Sequence, residues 1–369
     1  MKLKLNQQDI NFALNLVLKA INPNNTLPIL NNILLEAKDN KLFLAATNLE
    51  IAISLDIPAQ VITEGKLTVP AKLISSYVSL LPNEELEIEV LEDLSLEIKS
   101  AKSDTKIKGL KADDYPNIPK INEDKSFIIP AKLLEKSIIE TVFAASLNSS
   151  RPILSGVYLK IEANQITFVS TDSYRLAEKK LKIETAVSET MECIIPARTM
   201  QELAKILNNF DKTSVKVIVS KNQILFQIDN INLTSRLIEG NFPDYTKIIP
   251  TESKTIFTVK KVDLELALKR ISLFSREINN SIHLETNPEA KKLTILTDET
   301  RIGEEKSQLD IEITGEMNKI SLNSQYMLDV LNVKEGDEII VEINEKLSPI
   351  KIRPKKADDY TYIIMPLKV

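Results

Sequence analysis

The chain opens on Lys2-Leu3-Lys4-Leu5, an alternation that turns one side of an extended strand inward and leaves the other to solvent. Asn6 follows as a helix N-cap, with Ile10, Ala13, Leu14, Val17 and Leu18 at helical spacing; an amphipathic helix is predicted to about residue 21. Short alternating runs come next, at 33–37, 42–46, 51–55 and 66–69. A second helix over 71–81 starts behind Pro70 and carries Leu73, Ile74, Tyr77, Val78 and Leu81. Strands over 86–91, 94–99 and 105–110 close the series. The same order returns twice, with helices predicted over 131–146 and 197–209, then over 262–276 and 323–334. Strands that bury one face suit antiparallel sheets. The pattern therefore predicts an α+β fold in which each copy packs two helices on antiparallel sheet.

The copies are legible residue by residue. Pro28-Ile29-Leu30 before Ile33-Leu34-Leu35-Glu36 returns as Pro152-Ile153-Leu154 before Val157-Tyr158-Leu159-Lys160, and Ile282-His283-Leu284-Glu285 is a third version. Thr47-Asn48 meets Thr171-Asp172 and Thr297-Asp298. Val69-Pro70-Ala71-Lys72 meets Ile195-Pro196-Ala197-Arg198 and, more loosely, Leu322-Asn323-Ser324-Gln325. Closing phrases recur as Asp114-Tyr115-Pro116-Asn117-Ile118-Pro119 and as Asp244-Tyr245-Thr246-Lys247-Ile248-Ile249-Pro250. Asp359-Tyr360 leading to Ile364-Met365-Pro366 reads as a third. The period is that of a domain rather than a solenoid unit, so three domains are predicted at 1–122, 123–250 and 251–369.

Composition narrows the function classes. At 369 residues, 43% hydrophobic and 27% charged, the chain is of ordinary globular type. No signal segment and no membrane span is read from it, and the single Cys193, in an apolar run, is expected to be buried and inert in a cytoplasmic protein. Seven glycines supply no phosphate-cradling loop, and one histidine, His283, removes most triads and zinc sites. His283 is read as a polar strand residue, and Asp113-Asp114 and Asp358-Asp359 as turn residues. No catalytic residue, metal or cofactor is expected.

Edges and charge suggest an assembly. Three sheet-bearing units joined edge to edge leave one free edge at each end of the chain, of complementary kinds, so two chains placed head to tail would close a ring. Six domains of about 36 Å across would leave a hole of roughly 36 Å, wide enough for duplex DNA. The net charge of −5 speaks against a basic DNA-binding face, yet the six predicted helices carry a small cationic excess. Lys19, Lys72, Arg198, Lys205 and Lys334 contribute to it. A weakly positive bore would hold DNA without reading sequence.

The chain resembles the bacterial DNA sliding clamps, the beta subunits of DNA polymerase III. The resemblance runs through the opening Met1-Lys2-Leu3-Lys4-Leu5, then Thr26-Leu27-Pro28-Ile29-Leu30, Thr47-Asn48-Leu49-Glu50 and Thr171-Asp172-Ser173-Tyr174-Arg175-Leu176-Ala177. It continues in Gly240-Asn241-Phe242-Pro243-Asp244-Tyr245, Tyr326-Met327-Leu328-Asp329-Val330-Leu331 and the tail Tyr362 to Val369. It implies three clamp domains per chain and a homodimeric, six-domain ring around double-stranded DNA. Implied partners are a clamp loader, the replicative polymerase catalytic subunit, and other polymerases and repair proteins carrying short peptides with a Gln and apolar residues. Carried over position by position, the peptide pocket has Leu154, Thr171, Leu176, Pro243, Ile248, Leu347, Ile364, Met365 and Pro366 as floor and walls. Arg175, Lys247, Asn323, Tyr326, Leu367 and Lys368 fall at its rim. Ser173-Tyr174 replace a Gly-His of relatives and are expected to narrow the entrance. Pro152-Ile153 replace two aromatics near DNA, leaving Arg151 to meet a phosphate. The ring joint is expected between an edge near Thr105–Lys108 and one around Arg301–Ser307, supported by Ile107 and Leu273.

A rival reading is a sheet-rich scaffold that binds proteins without DNA. It shares the fold and the pocket, and retention on circular DNA discriminates between the two.

Overall fold

The computed structural model describes residues 1–22, 27–118, 121, 125–147, 150–183, 187 and 189–368. Thr26, Pro119 and Val369 of the motifs, and the boundary between 122 and 123, lie outside the described residues. The helices are α1 Gln7–Val17, α2 Ala71–Ser79, α3 Ala131–Val142, α4 Ala197–Leu207, α5 Lys261–Ser275 and α6 Ser324–Val333. Each matches a predicted helix, with ends that come sooner. The last turn expected of α1 tightens into a 3-10 turn over Leu18–Ala20. Asparagine sets two of the starts. The Asn6 side chain accepts the Gln8 N–H (2.9 Å), and Asn323 accepts those of Gln325 (2.8 Å) and Tyr326 (3.3 Å). Among the described residues no helix is long and apolar enough to cross a membrane.

The chain forms two compact units, Met1–Leu134 with Glu202–Leu237, and Glu135–Gln201 with Ile238–Val369. In the first, one sheet runs in the order 60–63, 2–6, 85–90, 95–99, 104–108. Its second sheet runs 126–130, 214–219, 223–228, 231–236, 51–58, 41–47, 32–38, 65–70. In the second unit, one sheet runs 191–196, 156–162, 165–171, 175–182, 360–364, 350–354, 338–343, 255–260, 312–315, and the other 306–310, 292–296, 281–287, 318–323. Every pairing between these strands is antiparallel. Strands 60–63 and 312–315 escaped the sequence pattern. Both are four-residue edge strands with little buried surface, so they show no inward face to read.

Compactness does not follow the repeat. Strand 51–58 pairs with 231–236, setting Ile51 opposite Ser235, and 175–182 pairs with 360–364, setting Arg175 opposite Ile364. A sheet thus crosses each repeat boundary, and the two halves of the central repeat belong to different units. One of the three closing phrases is a false echo. Asp114-Tyr115 and Asp244-Tyr245 follow the last strand of their repeats, whereas Tyr360 opens the last strand of its own and is buried in the core with Phe257, Leu268 and Tyr362.

Lys334 corrects the charge reading. It lies at the end of α6, buried, with its ammonium 2.9 Å from the Glu140 carboxylate of α3. Glu140 is also buried and lies 3.2 Å from Lys179, which reaches Asp359 at 2.6 Å. Lys334 therefore closes a core ion cluster and contributes nothing to a solvent-facing bore. At the matching helix positions of the other joint stand Leu16 and Leu207, both buried. Glu140→Leu leaves a buried ammonium unpaired and is expected to cost about 3–5 kcal/mol in denaturant unfolding. The double change Glu140→Leu with Lys334→Leu, which copies the other joint, is expected to return most of that loss. A double variant as unstable as the single one would show that packing, not charge, is at stake.

Candidate binding sites

The first site grows from a hairpin. Strands 165–171 and 175–182 meet at a turn in which the Thr171 hydroxyl donates to the Arg175 carbonyl (2.6 Å) and accepts the Ser173 N–H (3.1 Å). The Asp172 carboxylate accepts the Tyr174 and Arg175 N–H groups at 2.9 and 3.0 Å. This geometry drives Ser173 to φ 81°, in the left-handed region that glycine enters freely. The Thr-Asp pair that marks the repeat is thus a turn-forming device. Ser173 also accepts a hydrogen bond from Arg151 Nη1 (3.0 Å), and the Tyr174 side chain is exposed.

Arg175 is held on every side. Its Nε donates to Asp172 (3.0 Å), Nη1 pairs with Asp329 of α6, and Nη2 donates to the Phe143 carbonyl (3.0 Å). The guanidinium lies 4.6 Å from the Tyr326 ring centroid. Burial opposes its charge, but Tyr362, Asp329 and Asp172 outweigh it and raise its pKa above the ordinary value. Tyr362 in turn donates its hydroxyl to the Tyr326 carbonyl (3.1 Å).

The C-terminal segment docks beside this hairpin. After strand 360–364, the Met365 N–H donates to the Tyr174 carbonyl (2.8 Å) and the Leu367 N–H to the Ser321 carbonyl (2.8 Å). Met365, Pro366 and Leu367 are half-buried, and Lys368 is exposed. Leu176 and Ile364 have no exposed surface; Leu176 packs with Val169 and Ile363 against Tyr158, Phe242, Tyr245 and Ile249. These two residues, expected as pocket floor, lie within the core. Leu154 is buried, while Pro243, Ile248 and Lys247 are exposed, Lys247 pairing with Asp244 at 3.0 Å. Leu347 is exposed on the 344–349 turn, and residues of that turn share a concavity of about 560 Å³ with Lys247 to Thr251. The structure thus gathers Thr171, Arg175, Leu176, Tyr326, Ile364 and Met365 tightly. Asn323 serves first as the α6 cap. The anchoring of Arg175 by Asp329 and Phe143 has no sequence signal, because each lies on a different element.

Of the cations expected to face DNA, Lys72 and Lys205 are exposed, Lys19 and Arg198 half-buried, and Arg151 exposed. Lys19 and Lys205 flank one concavity of about 460 Å³ with Phe12, Asn15 and Asn209. Lys205 pairs with Glu202 at 2.8 Å. Lys72 and Arg198 both occupy the second position of their helices.

Among the sheet edges are 104–108 in the first unit and 306–310 in the second, the two ends expected to meet in a ring. The latter starts later than the expected Arg301, because Thr300 and Gly303 bridge in a turn. Leu273 on α5 is 60% exposed, but Ile107 is only 4% exposed and already belongs to its own core.

His283 lies in strand 281–287, with Nδ1 2.8 Å from the Ser321 hydroxyl and Nε2 3.0 Å from the Asp298 carboxylate. Burial pushes the Cys193 thiol up to about 12, so it stays protonated and unreactive. Among the described residues no group of three or more His, Cys, Asp or Glu side chains is placed to hold a metal.

Comparison with known proteins gives a consistent result. Models of the DNA polymerase III beta subunit match this chain in three stretches: the N-terminal domain over 1–119, the central domain over 126–244 and the C-terminal domain over 246–368. The chain is 36% identical over 365 residues to a beta sliding clamp of Staphylococcus epidermidis, covering 96% of each. To that of Staphylococcus aureus it is 34% identical, again over 96% of each. The crystal structure of the Bacillus subtilis DNA polymerase sliding clamp superimposes with a TM-score of 0.96 at 33% identity, over 100% of this chain and 99% of that one.

Proposed function

Because the chain belongs to the DNA polymerase III beta-subunit family of sliding clamps, we propose that it closes as a head-to-tail homodimer around duplex DNA and acts by topology rather than chemistry. In this reading its clamp domains are 1–122, 123–250 and 251–369. The ring tethers the replicative polymerase, after a loader has placed it, and takes other polymerases and repair proteins through the site at Thr171–Leu176 and the C-terminal segment.

The observation that carries the reading is the pair of strand joints inside the chain. Ala52 stands opposite Thr234 in one, and Leu176 opposite Ile363 in the other. Counting along the repeats, Glu305 takes the place of Ala52 and Leu176, since Thr297 meets Glu305 as Thr171 meets Leu176. On the other side Lys106 takes the place of Thr234 and Ile363. A third joint of the same register, made between two chains, pairs Glu305 of one with Lys106 of the other, an opposite-charge pair at an otherwise free edge.

The direct test is retention. With a loader and ATP, the protein is expected to stay on circular DNA and to slide off once the circle is cut; no retention on the closed circle would refute the reading. Replacing Lys19, Lys72, Arg198 and Lys205 together by alanine is expected to weaken DNA association with little change in folding. The slope of log affinity against log salt should flatten, by about one unit at most for each phosphate no longer neutralised. An unaltered slope would mean that these helices do not face DNA.

A further inference from the structure

We infer that the joint between the first and second repeats is a second, weaker docking site for the same class of peptide, selective for a carboxylate beside the apolar anchor. The inference rests on the peptide-binding reading of the Thr171–Leu176 hairpin and C-terminal segment. Its basis is that the two joints share the same turn and cross-strand hydrogen bonds. The Thr47 hydroxyl donates to the Ile51 carbonyl (2.9 Å) as Thr171 does to Arg175. Asn48 accepts the Glu50 and Ile51 N–H groups at 3.0 and 2.9 Å, as Asp172 does those of Tyr174 and Arg175. Leu49 takes φ 74° where Ser173 takes 81°. The Arg236 N–H donates to the Glu50 carbonyl at 2.8 Å, the distance at which Met365 meets Tyr174. Arg236 therefore stands where the first site has Met365, and Asn117 falls, by the repeated phrase, where it has Lys247.

This second joint is concave. Thr47, Leu49, Ile51, Pro116, Asn117 and Arg236 line a space of about 70 Å³, room for one aliphatic side chain. Leu49 stands exposed at the lip. Arg236 is exposed, and among the described residues its guanidinium has no ion-pair partner. At the first site the matching position is Met365, so no cation stands there, and the nearby Arg175 is already bound to Asp172 and Asp329. Glu50, exposed beside Arg236, is open to a hydrogen-bond donor such as a glutamine amide. The occupant that fits is a linear peptide with a leucine in the cleft, a carboxylate on Arg236 and an amide on Glu50. One buried side chain cannot match a site built from several, so the second site serves a ligand already held elsewhere on the protein.

The test is titration of a fluorescent peptide containing Gln and Leu with Asp beside the Leu, into the full-length protein and its variants. Wild type is expected to show two phases, the second about 100-fold weaker than the first. Removal of residues 365–369 should abolish the first phase and leave the second. Arg236→Glu should leave the first within about twofold and weaken the second by about tenfold or more, as should an Asn-for-Asp peptide. Arg236 is exposed, so circular dichroism should match wild type. The inference falls if the truncated protein shows no saturable binding up to about 5 mM, or if the second phase ignores Arg236→Glu. A wild type without either phase would overturn the peptide-site reading as well, which separates the two failures.

Discussion

Deletion of residues 365–369 is expected to abolish high-affinity binding of a Gln-plus-Leu peptide while leaving a folded dimer. Two backbone hydrogen bonds, Met365 to Tyr174 and Leu367 to Ser321, fasten this segment beside the hairpin. Its apolar side chains Met365, Pro366 and Leu367 are half-buried. The segment follows the last strand and completes no sheet, so its loss should spare the core. Met365→Ala alone should cost about 1–3 kcal/mol of peptide affinity, the scale of one buried apolar anchor. Fluorescence titration decides it: full affinity in a truncated, folded protein would move the site elsewhere.

The ring joint should fail just as sharply. Leu273→Asp puts a charge on an exposed apolar position of α5, close in the chain to Arg270, which lies 3.6 Å from Glu305 beside the 306–310 edge. If the joint forms there, desolvating that aspartate costs several kcal/mol, on the order of 3–5, and sedimentation should show monomer where wild type is dimeric. The register gives an independent check. Lys106→Glu should also dissociate the dimer by setting like charges opposite one another, and adding Glu305→Lys should restore it. A dimer untouched by all three changes would remove this joint while leaving the family membership intact.

Much of this is legible in the sequence because it is written in periodicity. The helices announce themselves through runs such as Ile10, Ala13, Leu14 and Val17, and the hairpin turns through Thr-Asn and Thr-Asp pairs whose side chains build the turn. What escapes is of two kinds. Edge strands 60–63 and 312–315 bury almost nothing, so no pattern marks them. Long-range partners leave no local trace: Glu140 meeting Lys334, or Arg175 meeting Asp329, needs the fold to bring distant elements together. Lys334 looks for that reason like a helix cation when it is a core one. Ile107, expected as apolar support for the ring joint, lies on the inner face of its own sheet. The pocket positions come from family likeness, and no property of Leu176 or Ile364 taken alone separates a binding floor from ordinary core.

The sheets that run through the repeat boundaries have a consequence for heredity as well as for folding. A domain copied in tandem would be expected to survive alone, yet residues 123–250 excised from this chain would carry two bare edges, 175–182 and 231–236, each stripped of its partner. Such edges recruit whatever strand is at hand. The central repeat can therefore be neither deleted nor transplanted without its neighbours. The three repeats share one plan but are bound to change together, because a substitution at either joint is answerable to residues from a different copy.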